Sequence, residues 1–474
     1  MSGTATVERT LRNFAGACGG RLEGADRAFA GVSSDSRTLA AGDLFVALRG
    51  PRFNGNEFVA AAVAAGAAGA LVDAPQSVGL AQIVVADTQA ALSSAAHAWR
   101  QALDIPVVGV AGSNGKTTAK EMTAAILSEA GSTLATRGNL NNHIGVPLTL
   151  LRLEPGHRFA VIEMGANRAG EVADLVKVAR PTVGLITNAG AEHLEGFGSL
   201  EGVARAEGET VAGLAADATA VINADDEFAN LWRGMTPARV VTFGIASAAD
   251  FRASDLRTSL DSSGFRTRFQ LSSPLGRTEI ELRLGGRHNV ANALGAAAAA
   301  AAAGATLEQI VRGLGAMRAV PGRLQLKQAA CGAWIIDDSY NANPSSVRAG
   351  IEVLAAVDGR RWLVLGDMAE LGEFASDEHC QIGTFARERG IERLFAIGPL
   401  AALAVERFGT GGQWFTDTEA LGRELLRALS SLPASGGESG AAGVRLLVKG
   451  SRVNRLERVV AALAGHDNNN PDGH

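Results

Sequence analysis

The sequence predicts an α/β protein of several domains with a parallel sheet at its centre. Three observations carry that prediction. Residues 105–110 (IPVVGV) form an apolar, β-branched run, followed by the glycine-rich turn AGSNGKTT and then by AKEMTAAILSEAG with apolar residues at helical spacing. Such strand-like and helical stretches alternate between residues 103 and 318 and again beyond, as they do in parallel sheets covered by helices. The pattern breaks twice, near residues 99–106 and 317–323, which divides the chain into 1–102, 103–318 and 319–466 with a tail at 467–474. A chain of 474 residues has ample length for two to four domains.

Composition narrows the function classes. With 47% hydrophobic and 20% charged residues the chain reads as a globular enzyme, and a net charge of −5 carries no electrostatic footprint for nucleic acid. Cys18, Cys331 and Cys380 lie far apart with no CxxC pair, so reduced thiols in a cytoplasmic protein are expected. The N-terminus lacks an apolar core of signal-peptide length, and the alanine run at 296–303 is too short and too weakly apolar to span a bilayer. No membrane span is expected.

The first segment, 1–102, reads as a compact α/β unit. A strand is expected at 44–48, a helix and strand in GNEFVAAAVAAGAAGALV, and another strand in AQIVVADT. SSDSR (33–37) reads by itself as a polar surface turn.

The second segment opens with the glycine-rich turn. Gly112 and Gly115 allow backbone N–H groups to turn inward, and the helix N-terminus adds partial positive charge, which together cradle phosphate. Lys116 is placed to reach the outer phosphates and the Thr117 hydroxyl to ligate Mg²⁺. The first glycine of GxxxxGK[ST] would fall at Val110, so the motif here is the shorter GxxGKTT. The bland alternative is a surface turn followed by an ordinary lysine. Two further strand ends should converge on this loop. Glu163 closes FAVIE and is a candidate Mg²⁺ ligand, and Asn188, Glu192 and His193 follow the strand ending at Ile186. The turn GNLNNHIGVP is dense in asparagine, and GRHNVANALG opens an alanine-rich helix with Asn289 and Asn292 on one face.

The third segment repeats the α/β pattern. AWIIDDSYNANP is a strand ending in Asp337 and Asp338, after which Asn343 should cap a helix beginning with Pro344. RRWLVLG, RLFAIG and VRLLVKG supply further strands, and HDNNNPDGH has no apolar pattern and reads as a disordered tail.

Together GSNGKTTAKEM, RGNLNNHIGVPLTLL, VIEMGANRAGE, HLEGFGSLEGVA, GRHNVANAL, AVPGR, DDSYNANP, LGDMAELG and LVKGSR cover nearly the whole chain. In this set and order they resemble the Mur ligases, the ATP-dependent amide-forming enzymes of peptidoglycan assembly, which use the short GxxGKTT loop. The resemblance implies a UDP-sugar-binding N-terminal domain, a central ATPase with a phosphate-loop parallel sheet, and a C-terminal Rossmann-like domain that brings the amine. Within the family the motifs are most similar to members that add D-alanyl-D-alanine to UDP-N-acetylmuramoyl-tripeptide, the last cytoplasmic step of UDP-MurNAc-pentapeptide synthesis. A monomer using ATP and Mg²⁺ is then expected.

By the same resemblance, ATP would be held by Ala111, Gly112, Ser113, Asn114, Gly115, Lys116 and Thr117, with Asn289 at the adenine, Arg323 at the phosphates and Asp338 at the ribose. Thr117, Glu163 and His193 would hold the metal. Ser34, Asp35, Ser36, Arg37, Asn139, Asn141 and Asn142 would face the nucleotide-sugar peptide, and Asn341, Asn343, Lys449 and Ser451 the inter-domain cleft. The chemistry implied is phosphorylation of a carboxylate followed by attack of an amine, with the C-terminal domain closing about hinges near 99–106 and 317–323. Mur ligases commonly carry a carbamylated lysine after HLEGFG. Here that position falls on Glu207, which is expected to supply the carboxylate directly and to act with Lys116, Glu163 and His193 in catalysis; the bland alternative is a helix-surface glutamate with a re-formed metal site. A sister ligase adding a diamino acid, or glutamate to folate, is a second reading, although the DNPR stretch of the diamino-acid enzymes is absent. A nucleotide-driven switch is a third, but it would need a guanine-reading NKxD, also absent.

Overall fold

Residues 107–282 build a nine-stranded sheet whose strand order places the site. The computed structural model describes residues 8–51, 53–192, 194–261, 264–432 and 440–464. Across the sheet the order is Gly276–Leu282, Gly264–Ser273, Phe251–Asp261, Arg239–Gly244, Thr219–Asn223, Val183–Ile186, Val107–Ala111, Phe159–Glu163 and Thr133–Ala135. From Thr133–Ala135 to Phe251–Asp261 all neighbours run parallel, and the last two strands add an antiparallel ribbon. The four strands around Val107–Ala111 are buried along their whole length, because helices cover both faces. After Val107–Ala111 the chain runs out to the edge strand Thr133–Ala135 and returns to pair on one side through Phe159–Glu163. It then crosses to the other side with Val183–Ile186. This reversal opens a crevice beyond the carboxyl ends of those three strands.

Helix Lys116–Ser128 lies on one face of the sheet beside the alanine-rich helix Arg287–Ala302. Buried alanines and Gly295 let the latter lie close to the strands, since a Cβ at Gly295 would come within 3.1 Å of Leu185. Helices Gly145–Leu150 and Glu171–Ala179 cover the opposite face.

The N-terminal sheet runs Arg21–Glu23, Gln82–Val84, Gly69–Val72, Leu44–Val46, Val32–Ser33, parallel except for Arg21–Glu23. The strand expected at 44–48 ends at Val46, because Leu48 turns its carbonyl to the Gly55 N–H at 2.8 Å. The expected hinge at 99–106 is not what the fold provides. Arg100, almost fully buried, donates to the carbonyls of Ala179, Leu103, Ile105 and Arg180, and Trp99 donates to Leu153 at 2.9 Å. One apolar core runs from Leu11 and Leu92 through Leu150 to Val176. Bending there would strip buried carbonyls of their donors.

The third sheet runs Gln325–Gln328, Trp334–Asp338, Val444–Lys449, Arg360–Gly366, Arg393–Ile397, Gly412–Phe415, parallel but for the first pair. Asn343 and Ser346 form a capping box at the start of helix Pro344–Ala355, as the sequence predicts. Phe265 of the central ribbon sits in the same core as Ile336, Ile351 and Val353, so the third sheet is docked on the second. The expected tail, 467–474, lies outside the described residues.

Candidate active site

The chain turns sharply after Val107–Ala111. Gly112 and Gly115 have φ of 121° and 81°, and side chains there would collide with Thr187 Oγ1 at 2.1 Å and Asn292 Oδ1 at 2.3 Å. Only glycine fits both the dihedral and the space. The loop is tied down by the next strand end. Ser113 N–H donates to the Asn188 carbonyl, Asn114 N–H to Asn188 Oδ1, and the Asn114 carbonyl accepts from Thr187 Oγ1 and Asn188 Nδ2. Helix Lys116–Ser128 starts directly from it.

A cleft of about 630 Å³ lies over this loop. Its walls come from the phosphate loop, the asparagine turn, the ends of strands Phe159–Glu163 and Val183–Ile186, the start of helix Arg287–Ala302, and the loops around Arg323 and Asn343. Of the residues singled out in the sequence, Ser113 to Thr117, Asn139, Asn141, Asn142, Glu163, Asn289, Arg323, Asp338, Asn341, Asn343 and Lys449 line it. Ser34, Asp35, Ser36 and Arg37 do not. They form a turn of the N-terminal sheet in which Arg37 holds the Asp35 carboxyl down to about 2. Ser451 is buried in structural bonds, accepting from Ala369 N–H and donating to the Ala342 carbonyl. His193 lies outside the described residues.

Lys116 Nζ donates to the Ser113 carbonyl and to Glu192 Oε1 at 3.0 Å. Burial opposes its charge, but Glu192, Glu207 and Glu163 outweigh that and raise its pKa. Thr117 Oγ1 donates to Glu163 Oε1 at 3.3 Å and accepts from Arg323 Nη2 at 3.0 Å. Asn141 Nδ2 also donates to Glu163 Oε1, at 2.8 Å. Glu163 is 2% exposed, and its Oε2 has no hydrogen-bond partner among the described residues. A bare buried carboxylate oxygen beside a hydroxyl fits a hard cation. Among the described residues no three His, Cys, Asp or Glu side chains gather into a metal cluster, so such a cation would draw part of its ligand shell from water and phosphate.

Glu207, on helix Leu200–Ala212, is 6% exposed and reaches the loop from beneath, accepting from Gly112 N–H at 2.6 Å. Burial pushes its carboxyl up to about 7, with Lys116 and the Gly112 N–H pulling it down and Glu192 pushing it up. Asn289 and Asn292 are buried and linked at 3.3 Å. Asp338 is ion-paired with Lys449 at 2.6 Å, and Lys449 also donates to the Asn341 carbonyl. Tyr340, the only tyrosine, lies under the guanidinium groups of Arg323 and Arg452.

Sequence reasoning missed Ser345 and His288. The Ser345 hydroxyl accepts from Asn114 Nδ2 at 3.0 Å, and Asn343 Nδ2 donates to Asn114 Oδ1 at 2.9 Å, so the phosphate loop touches the third sheet's capped helix directly. The NPSS stretch following a strand end carried the signal for Ser345. His288 lines the cleft, and burial pushes its imidazole down to about 4 despite Asp338.

Comparison with known proteins places this arrangement. The chain matches "Mur ligase family, catalytic domain" over residues 28–117, "Mur ligase middle domain" over 110–300 and "Mur ligase, glutamate ligase domain" over 322–452. It is 44% identical to the UDP-N-acetylmuramoyl-tripeptide–D-alanyl-D-alanine ligase of Escherichia coli K12 over 96% of this chain and 98% of that one. It is 34% identical to the enzyme of the same name from Bacillus subtilis 168, again over 96% and 98%. Among solved structures it resembles MurF from Acinetobacter baumannii, with a TM-score of 0.89 and 34% identity over 97% of this chain and 99% of that one. It also resembles MurF ligase from Thermotoga maritima in complex with ADP, with a TM-score of 0.77 and 26% identity over 92% and 97%. The chain belongs to the Mur ligase family.

Proposed function

We propose that the chain joins D-alanyl-D-alanine to UDP-N-acetylmuramoyl-tripeptide at the expense of ATP, completing the pentapeptide precursor of peptidoglycan. The observation that carries this reading is the convergence, in one cleft, of a phosphate loop, a buried carboxylate and an asparagine turn, in a chain related over nearly its whole length to ligases of that name. The part up to about residue 102 would hold the UDP-sugar, residues 103–318 the nucleotide, and residues 319–466 the incoming dipeptide.

The reaction needs an activated carboxyl. The terminal carboxylate of the tripeptide attacks the γ-phosphorus of ATP, giving an acyl phosphate and ADP. The free amine of D-alanyl-D-alanine then adds to the acyl carbon, and the tetrahedral intermediate expels phosphate and loses a proton. Lys116 is held charged at the loop, so it can leave Glu192 for the migrating phosphoryl group and offset charge in both steps. Gly115, Lys116 and Thr117 present backbone N–H groups and a helix start to the phosphates, while the N–H groups of Gly112, Ser113 and Asn114 hold the loop's shape through Glu207 and Asn188. Arg323, already on Thr117 Oγ1, reaches the same phosphates, while Asn289 and Asp338 face the nucleoside. Asn139, Asn141 and Asn142 orient the acyl substrate. Asn341, Asn343 and Lys449 close the amine side and keep water from the acyl phosphate.

Thr117, Glu163, His193 and Glu207 would hold Mg²⁺, with Glu207 in the place of the family's lysine carbamate. When bound, Mg²⁺ offsets the phosphate charge. Among the described residues no helix is long and apolar enough to cross a membrane, and the proposed site of action is the cytoplasm, where ATP and the UDP-linked precursor are available. We expect a monomer.

The test is phosphate release from Mg-ATP with UDP-N-acetylmuramoyl-tripeptide, with and without D-alanyl-D-alanine. Release that requires both, with pentapeptide detected by mass, is the expected result. Release indifferent to D-alanyl-D-alanine, or dependent on a diamino acid with the dipeptide precursor, would overturn the assignment.

A further inference from the structure

Lys120 is a buried cation that the mechanism leaves unused. It sits one turn beyond Lys116 on helix Lys116–Ser128, and its side chain is 0% exposed. An ammonium is costly to bury, and a leucine or methionine would fill such a position without that cost. Its partners show where it acts. Nζ donates to the Thr136 carbonyl at 2.8 Å and is ion-paired with Glu121. Thr136 is the first residue past the edge strand Thr133–Ala135 and is itself 1% exposed. Its Oγ1 accepts from Glu163 N–H at 3.0 Å, and its own N–H donates to the Val161 carbonyl at 3.0 Å.

The asparagine turn begins two residues on, at Gly138. Its far end is pinned as well, because Asn141 donates to Glu163 Oε1 and its carbonyl accepts from Gly165 N–H at 2.8 Å. Between these two anchors, 137–140 has its own backbone bond from Leu140 N–H to the Arg137 carbonyl, at 3.2 Å. The near anchor therefore includes, beside its two bonds to the strand Phe159–Glu163, a charge on the helix that carries the phosphate loop.

We propose that Lys120 is a positioning residue that fixes the asparagine turn relative to the phosphate-loop helix, so that the acyl substrate's carboxylate is aligned with the nucleotide's terminal phosphate. The proposal rests on the reaction given above, in which that turn holds the acyl substrate. A charge-assisted bond to a carbonyl resists displacement more than a neutral contact does. Nucleotide binding, by contrast, uses chiefly the loop ahead of Lys120.

Lys120→Met tests this, because methionine matches the stem in shape and leaves no unpaired charge in the interior. Glu121 remains half-exposed and can turn to solvent. Three readouts are taken on the full chain: steady-state kinetics with each substrate varied, ADP affinity by calorimetry, and hydrogen exchange resolved by segment. The expected result is a KM for UDP-N-acetylmuramoyl-tripeptide raised about tenfold and a kcat lowered about tenfold. KM for ATP and Kd for ADP should stay within twofold, and amide exchange should speed up at least tenfold in 137–142 but not in the 116–128 helix. Lys120→Arg, which keeps the charge, should recover slow exchange in 137–142. It serves as the second variant if Lys120→Met does not fold, with slow exchange and kinetics within threefold of the parent expected. Unchanged exchange and KM in Lys120→Met would overturn the proposal. So would a general loss of protection with ADP affinity falling in parallel, which is the mark of a purely structural lysine, or an arginine variant as impaired as a misfolded one. If the parent protein itself fails to make pentapeptide, the reaction assignment falls, and the exchange data still decide whether Lys120 holds the turn.

Discussion

Replacing Glu207 by glutamine should make the metal-free protein more stable, and increasingly so as pH rises. In the folded chain burial lifts this carboxyl from 4.5 to about 7. The folded state therefore binds a proton more tightly than the unfolded state does. Below pH 4.5 both states are protonated and the shift has no effect on stability. Between 4.5 and 7 the unfolded state ionises freely while the folded state must keep its proton or ionise in the interior, so stability falls through that window. At about 1.4 kcal/mol per unit, the loss approaches roughly 3 kcal/mol above pH 7. Glutamine keeps the volume and an oxygen for the Gly112 N–H, and it has no proton to lose. The N-terminal and central sheets share a core, so about 300 residues should melt together. At ~2.1 cal/mol/K per residue, 3 kcal/mol is a shift of roughly 5 °C. The assay is the difference in melting temperature between Glu207→Gln and the parent, in EDTA without nucleotide, from pH 4.5 to 8. The difference should grow by roughly 5 °C across the window. A difference independent of pH would refute the reasoning, because it would mean the folded carboxyl titrates like an unfolded one.

The other predictions rest on separate contacts. His288, pushed down to about 4 by burial, gives the opposite slope. The unfolded state takes up the proton below 6.5, so stability falls as pH drops from 6.5 toward 4, and His288→Asn should remove roughly 2 kcal/mol of that acid sensitivity in urea melts. Asp338→Ala strands buried Lys449 and should cost about 3–5 kcal/mol, with Lys449→Met in the same chain recovering most of it. Gly115→Ala combines a φ of 81° with a collision at Asn292 Oδ1, so ADP affinity by calorimetry should fall at least tenfold. Ser345→Ala removes a bond between the phosphate loop and the third sheet's helix. Scattering with an ATP analogue should show weaker compaction than the parent, and equal compaction would assign closure to other contacts.

The sequence by itself determined whatever depends on neighbours along the chain. The strand, turn and helix around Lys116 follow from β-branched residues, glycines at positive φ and helical spacing. The cap at Asn343 follows from its side chain and the proline after it. Strand ends could be ranked as site candidates because parallel sheets bind ligands there, and Glu163 was found that way. What only the tertiary structure decided depends on segments far apart in sequence. Glu207 meets Gly112 across 95 residues, and Ser345 meets Asn114 across 231. Lys120 reads as one more surface lysine on a helix until the edge strand closes over it. The expectation of a hinge at 99–106 failed for the same reason. A proline and a pattern change mark a boundary between elements, but whether it bends is set by Arg100, which ties together carbonyls from two distant helix ends. Local propensity acts over a few residues, while burial and charge pairing act through space, and the site is made mostly of the latter.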